Sequence, residues 1–267
     1  MNGYIGVGGT ARKIKGLYVG VNGVARTVQK SYVGDASGKA RLWYTRDTQL
    51  GGLAVGSSVY FKVNNVRTQW LVVQQGNPST SIYDSSCDGT WLLMKDIYGK
   101  RQWHSSNTND YANSTIHSYL NGTFLNLFES NIKNAIKQVK LPYRKGSGTS
   151  TTVTSGSNGL SAKIFLLSAT ETSFSFSNMP SGEGAELAYF KGCADNGLDS
   201  KRVAYLNGSA DSWWLRSPYC GNFSFALYVY LNGNWGNNLC SNSYGIRPCI
   251  VLPKGTLLDD NNNVIGG

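Results

Sequence analysis

Charge is scarce in this chain. Only 15% of its 267 residues are charged, which is low, while the 40% that are hydrophobic is ordinary for a globular protein. Histidine occurs twice, at His104 and His117. Neither has a carboxylate or cysteine at ligand spacing, so structural or surface roles are expected, not metal binding or catalysis. The five cysteines (Cys87, Cys193, Cys220, Cys240, Cys249) are odd in number and show no CxxC spacing. Neither a disulfide scaffold nor a zinc site is expected; a Cys220–Cys240 bridge stays open beside two unpaired thiols. Apolar runs such as Ile164 to Leu167 are far too short to cross a membrane, so no membrane insertion is expected. The opening MNGYIGVGG has neither a basic start nor a continuous apolar core. No signal peptide is expected, hence synthesis in a reducing cytoplasm, with any extracellular role needing release in a virion or by lysis. Gly6 to Gly9 lacks the helix and lysine of a phosphate loop. Asp84, Asp88 and Asp96 are not at calcium-loop spacing, and no metal or other cofactor is expected.

What charge there is sits unevenly. The net charge is +10, and residues 1–46 hold +7 of it, with Asp35 their one acid. The remaining +3 is too little for a nucleic-acid face, so no nucleic-acid partner is expected. The basic segment repeats. YIGVGGTARKIKGL, YVGVNGVARTVQKS and YVGDASGKARLWY align Tyr4, Tyr18 and Tyr32, then Gly6, Gly20 and Gly34. Each unit alternates apolar and polar residues around a Gly-Gly, Asn-Gly or Ser-Gly turn, a hairpin signature. Units this short bury no core alone, so they must stack on each other or on other copies of the chain. A homo-oligomer is expected, the repeat reading as a trimerising or particle-anchoring module or else as a basic hairpin appendage of no fixed partner.

After a linker over residues 45–52, SSVYFK (Ser57 to Lys62) and QWLVVQ (Gln69 to Gln74) predict a hairpin across Asn64-Asn65. WLLMK (Trp91 to Lys95) and KIFLLS (Lys163 to Ser168) predict further strands. Ser114 predicts the cap of a short helix ending at Asn121-Gly122. Phe128, Ile132, Ala135, Ile136 and Val139 fall at helical spacing and predict a second helix over 124–139. The Ser, Thr and Gly of residues 146–159 predict a mobile loop.

The most unusual stretch is Trp213 to Pro248. Between Arg216 and Arg247 there is no Lys, Arg, Asp or Glu. Asn, Ser and Gly alternate instead with Tyr219, Phe223, Phe225, Tyr228, Tyr230 and Trp235. A core strand would carry less Asn and a solvated loop fewer rings, whereas binding surfaces mix rigid aromatics with small polar residues. Replacing the adenines of an Asn codon at random yields Tyr, Phe, Ser, Cys, Leu and Asp, but never Lys, Glu, Gln or Met. Those four are absent between Pro218 and Arg247. Trp235 cannot arise that way and would be fixed.

In this combination the stretch resembles the variable region of a diversity-generating retroelement target protein. There an error-prone reverse transcriptase rewrites Asn codons near the end of a C-type-lectin-like domain. The flanks WWLRSP (Trp213 to Pro218) and GIRP (Gly245 to Pro248) are similar to gut-phage and prophage members, with Cys249 where Ala is commoner. The likeness extends from about Leu50 onward. It implies an α+β, C-type-lectin-like domain over 47–267, with variable region 216–247, behind the all-β hairpin module of 1–46. The implied ligand-binding residues are Tyr219, Cys220, Asn222, Phe223, Ser224, Phe225, Leu227, Tyr228, Tyr230, Asn232, Asn234, Trp235, Asn237, Asn238, Cys240 and Asn242. The implied function is receptor binding for phage attachment, on a phage tail or cell surface, with a protein or glycan receptor on a bacterium. Trp213, Trp214, Arg216 and Arg247 are expected as scaffold, the rings on opposite strand faces with one toward the core, and the arginines on carbonyls or a carboxylate.

Two alternatives stay open. One is a glycan-binding surface or tail structural protein without diversification. The other is an oxidase like the formylglycine-generating enzymes, which share the broad fold and need a closely placed reactive cysteine pair. Only Cys220 and Cys240 could supply it, and both lie at rewritable positions, so enzymatic activity is not expected. The Glu-Pro-Asn or Gln-Pro-Asp triplet of calcium-dependent lectins is absent.

Overall fold

The computed structural model describes residues 4–7, 10–13, 17–28, 30–34, 37, 40–45, 48–194 and 197–266. The repeat forms three separate antiparallel hairpins: β1 (Tyr4–Val7) with β2 (Thr10–Lys13), β3 (Tyr18–Val21) with β4 (Val24–Thr27), and β5 (Lys30–Gly34) with β6 (Ala40–Thr45). The expected domain boundary at 46–47 lies outside the described residues. The expected linker is shorter than residues 45–52, because β7 (Thr48–Gln49) already pairs with the C-terminal part of the chain and Leu50 is fully buried.

From there the chain builds two five-stranded sheets. β8 (Ser58–Val63) and β9 (Val66–Gln75) form the expected hairpin, with Asn64 and Asn65 at φ 51° and 62°. Asparagine tolerates that left-handed backbone best among non-glycine residues, and two such residues in succession match the strand twist. Next come β10 (Thr90–Met94), β11 (Gly99–Gln102), α1 (Thr115–Asn121) and α2 (Ser130–Ala135). Ser114 caps α1 as expected, its hydroxyl accepting from the His117 amide. β12 (Val139–Leu141) pairs with β13 (Leu160–Ala162), and β14 (Ile164–Phe165) is all the strand that KIFLLS forms. β15 (Ala204–Leu206) and β16 (Ser209–Asp211) make a small hairpin before β17 (Trp213–Pro218), β18 (Phe225–Val229), β19 (Trp235–Leu239), β20 (Ser243–Ile246) and β21 (Cys249–Leu252). β22 (Leu257–Leu258) and β23 (Val264–Gly266) complete a three-stranded sheet with β7. The sheet orders are β14-β21-β10-β9-β8 and β11-β20-β17-β18-β19.

The central strands read as unbroken apolar runs because both their faces are covered. Trp91 and Leu93 of β10 enter one core with Trp213, Leu215, Leu227 and Val251. Leu92 and Met94 enter the other with Trp214, Phe61, Trp70 and Phe124. The adjacent tryptophans of β17 thus face opposite ways, as expected, but both rings rather than one are buried in a core, because both faces of the sheet are covered. Gly245 of the GIRP flank has a steric reason: an added Cβ would lie 2.7 Å from the Ile97 side chain and 2.8 Å from the Ser212 carbonyl.

The α+β, C-type-lectin-like expectation is overturned. The chain is mostly sheet, 37% strand and 12% helical, distributed over several small sheets. The second helix is the clearest loss. Only six residues of the expected span are α-helical. Phe128 instead bridges Val63, the Lys137 amide donates to the Val251 carbonyl, and Val139 pairs with Ala162. The helical spacing was real as burial, since Phe128, Ile132, Ile136 and Val139 are all buried. Sheet hydrogen bonds to distant segments set the backbone. Residues 146–159 do not hang free either: Tyr143 and Thr154 exchange both backbone hydrogen bonds, and the Gly156 amide donates to the Ile82 carbonyl.

Candidate binding surface

The Asn-rich stretch occupies the loop 219–224 and the hairpin β18–β19, with β19 on the sheet edge. Main-chain bonds to side chains elsewhere in the chain fix its backbone. Asn109 is fully buried, and its Nδ2 donates to the carbonyls of Tyr219 (3.3 Å), Asn222 (3.2 Å) and Gly148 (3.1 Å). Its own amide donates to the Phe223 carbonyl at 2.8 Å. Arg144 holds Asn109 in turn, with Nη2 2.6 Å from both its Oδ1 and its carbonyl oxygen. The Arg144 amide donates to Glu183, which also accepts from the Ser217 hydroxyl. The loop is therefore gripped through atoms that every residue type possesses.

Beneath it lies Arg216, wholly buried, with Nη1 2.5 Å and Nη2 2.7 Å from the Glu171 carboxylate. It also donates to the carbonyls of Leu166 and Glu183. Burial works to lower its pKa, but the close Glu171 charge outweighs that and raises it, so the guanidinium stays charged. Burial raises the pKa of Glu183. Arg247 donates to the Met94 carbonyl, and burial brings its pKa down to about 10. Both arginines thus serve as expected, on carbonyls and, for Arg216, a carboxylate.

The expected contact residues divide three ways. Phe223, at 57% exposed, and Tyr230, at 43%, project into solvent with Asn232 and Asn242. Tyr219, Asn222, Ser224, Phe225, Tyr228, Asn234, Trp235, Asn237 and Asn238 are half-buried. Leu227 and Cys240 are fully buried and Cys220 is 6% exposed, so these three offer no surface to a ligand. Leu227 packs with Trp213 and Cys240 with Trp214, on opposite sides of the sheet. Several asparagines serve their own turns: Asn222, Asn232 and Asn234 accept from the amides of Ser224, Asn234 and Trp235. Trp235 stacks on Phe176 at 4.0 Å between ring centroids.

Across the sheet runs an aromatic row. Tyr228 stacks on Tyr244 at 4.5 Å, and the buried Trp214 meets both edge-on. Tyr228 lies over Gly236, where an added Cβ would fall 2.4 Å from its ring. Asn238 donates to the Tyr244 hydroxyl at 2.7 Å and accepts from Asn242 at 2.8 Å. Tyr244, Asn109 and Arg144 were not singled out from the sequence. Tyr244 lies just past the last rewritable asparagine, and nothing local marks the other two.

All five cysteines are free and buried. Burial pushes the thiols of Cys87 and Cys240 up to about 12, and those of Cys193 and Cys220 to about 11, leaving them protonated and weakly nucleophilic. Among the described residues no cluster of His, Cys, Asp and Glu could hold a metal ion, and no helix is long and apolar enough to cross a membrane.

Residues 88–254 match the family model of DUF6273, a domain of unknown function. The chain belongs to the DUF6273 family. No curated protein and no solved structure matches it. The DUF6273 segment takes in Asn109, Arg144, Glu171, Glu183 and the whole of β17–β20, so scaffold and exposed stretch fall within one family unit. The three hairpins of the repeat lie outside it.

Proposed function

We propose that this DUF6273 chain is a binding protein whose exposed loop and hairpin are diversified by a retroelement. Its role is attachment of a phage to a protein or glycan receptor on a bacterial surface. The observation that carries this reading is the main-chain grip of Asn109 on Tyr219, Asn222 and Phe223. Side chains there can be exchanged while the backbone keeps its partners. The contact set is the exposed and half-buried residues, led by Phe223 and Tyr230, without Cys220, Leu227 and Cys240. Binding needs no chemistry, and the buried thiols make an oxidase reading less apt.

The deciding experiment is a search of the neighbouring DNA for a near-copy of the Trp213–Pro248 coding segment beside a reverse transcriptase gene. Differences confined to template adenines, at codons for exposed or half-buried residues, are expected. Differences spread equally over all four template bases would refute diversification. The stacked Tyr228–Tyr244 pair favours one second reading, a glycan binder of fixed specificity, because sugar rings lie well on flat aromatic faces. Glycan arrays against pull-downs of bacterial surface proteins separate the two.

We assign assembly to the repeat. Tyr18, Val19, Val21, Val24, Tyr32 and Val33 are all exposed, on hairpins of only two strands. Such hairpins are marginal alone and invite pairing at their edges. Symmetric copies would cover them, and three linked surfaces raise avidity on a clustered receptor. Light scattering should give a trimer for the full chain and a smaller species for a chain begun at Thr48, which retains β7. A monomer in both would remove this role.

A further inference from the structure

Beside the aromatic row lies a cleft of about 390 Å3 whose lining, Ser243 apart, lies outside the variable region 216–247. It opens between β11, α1 and β20, and Lys100, Arg101, Ser105, Thr115, Tyr119 and Ser243 line it. Arg101 pairs with Tyr244 across the β11–β20 ladder, which sets the cleft next to the Tyr244–Tyr228 stack.

Its two cations differ. Lys100 is held by Asp211, Nζ to Oδ2 2.6 Å, and is neutralised in place. Arg101 has no acidic partner among the described residues. Its guanidinium lies over the Tyr119 ring, with Cζ 3.5 Å from the ring centroid. That contact fixes the plane of the group while its N–H edges remain open, so less side-chain freedom is lost when a ligand binds. Lys100 and Arg101 against Asp211 leave one positive charge, the match for a monoanion. A planar fork suits a planar carboxylate held through two parallel hydrogen bonds. The hydroxyls of Ser105, Thr115, Tyr119 and Ser243 ring the same space and suit a ligand rich in hydroxyl groups.

We infer that this cleft is a fixed subsite for a uronate residue of an acidic glycan, the carboxylate on Arg101 and the adjoining sugar ring over Tyr244. The inference does not rest on diversification, since Lys100, Arg101, Ser105, Thr115 and Tyr119 all lie outside the variable region 216–247. It adds to the proposed function a constant recognition element beside a changing one.

Titration calorimetry on the full chain tests it with trigalacturonate, the neutral galactose trisaccharide, galacturonate and galactose 6-phosphate. Saturable binding of trigalacturonate is expected, weakened about tenfold or more by Arg101→Gln and less by Arg101→Lys, which keeps the charge but loses the fork. The neutral trisaccharide should not bind, and galacturonate should bind more weakly than the trimer. Phe223→Ser should leave this binding unchanged. If Arg101→Gln lowers the melting temperature, Arg101→Lys alone decides. Unchanged binding in both Arg101 variants, equal binding of the neutral sugar, or tighter binding of the phosphate ester would each overturn the inference. Loss on Phe223→Ser with Arg101 variants unaffected would place the glycan on the exposed loop, keeping the proposed function while removing the subsite.

Discussion

Removing the Asn109 side chain separates the grip on the loop from the side chains the loop presents. Asn109→Ala deletes three donated bonds, to Gly148, Tyr219 and Asn222, and two accepted ones, from Gly148 and Arg144. A neutral hydrogen bond contributes about 1 kcal/mol net, and one to a charged group about 1.5–3 kcal/mol. Two of the bonds are long and water can enter near the loop, so the sum is not additive. We expect a cost of about 3–5 kcal/mol, a large part of a typical 5–15 kcal/mol stability. Arg144 aggravates the loss, because its Nε and Nη1 are already buried without partners and it would keep only the Asn109 carbonyl. Urea denaturation measures the cost, and amide exchange shows whether residues 219–225 lose protection first. Phe223→Ser, on the same loop but exposed, should stay within about 0.5 kcal/mol. An Asn109→Ala cost below about 1 kcal/mol, or a Phe223→Ser cost as large as that of Asn109→Ala, would refute the main-chain anchoring.

Three further outcomes are expected. Trp214→Ala should cost roughly 3–5 kcal/mol through its cavity and Tyr230→Ser about 0.5 kcal/mol or less, with Tyr228→Ser between them because its ring packs on Trp214 and Tyr244; thermal melts rank the three. Burial lowers the pKa of His117 from 6.5, so the unfolded chain takes up its proton first. The stability this group contributes is complete above 6.5 and is lost as pH falls below it, at no more than about 1.4 kcal/mol per pH unit; His117→Gln should flatten that slope in pH-dependent denaturation. The five buried thiols should resist iodoacetamide at pH 8 in the native chain and all react in guanidinium, as mass spectrometry counts; rapid native labelling of Cys220 or Cys240 would revive a reactive-cysteine reading.

What was legible in the sequence was local. The Asn64-Asn65 turn, the Ser114 cap and the three aligned hairpins each depend on a few neighbouring residues, and each stands where expected. Trp213 and Trp214 were readable as opposed faces because strand periodicity is local too. The helix over 124–139 failed because its competitors, Val63, Ala162 and Val251, lie far off in sequence. The α+β assignment rested on that helix and on likeness, and neither could register how many short sheets the chain makes. Asn109 was invisible for the same reason: the partners of its side chain lie 35 to 113 residues away. Burial of Leu227 and Cys240 was missed because residue types in an Asn-rich run say nothing of which way a strand turns them.

The grip through main-chain atoms has a consequence for how such a surface can be searched. Phe223 and Tyr230 stand out from the protein, and their backbone positions do not depend on the identity of either side chain. Substitutions at sites without shared partners combine nearly additively in free energy. A changed residue at one such site therefore leaves the value of changes at the other intact. On the proposed function, selection would then accumulate improvements one codon at a time, in any order. Two groups are exceptions: Tyr228, tied to Tyr244, Trp214, Gly236 and the neighbouring Tyr230 ring, and the hydrogen-bonded pair Asn238 and Asn242. Epistasis in this protein should concentrate on these linked positions.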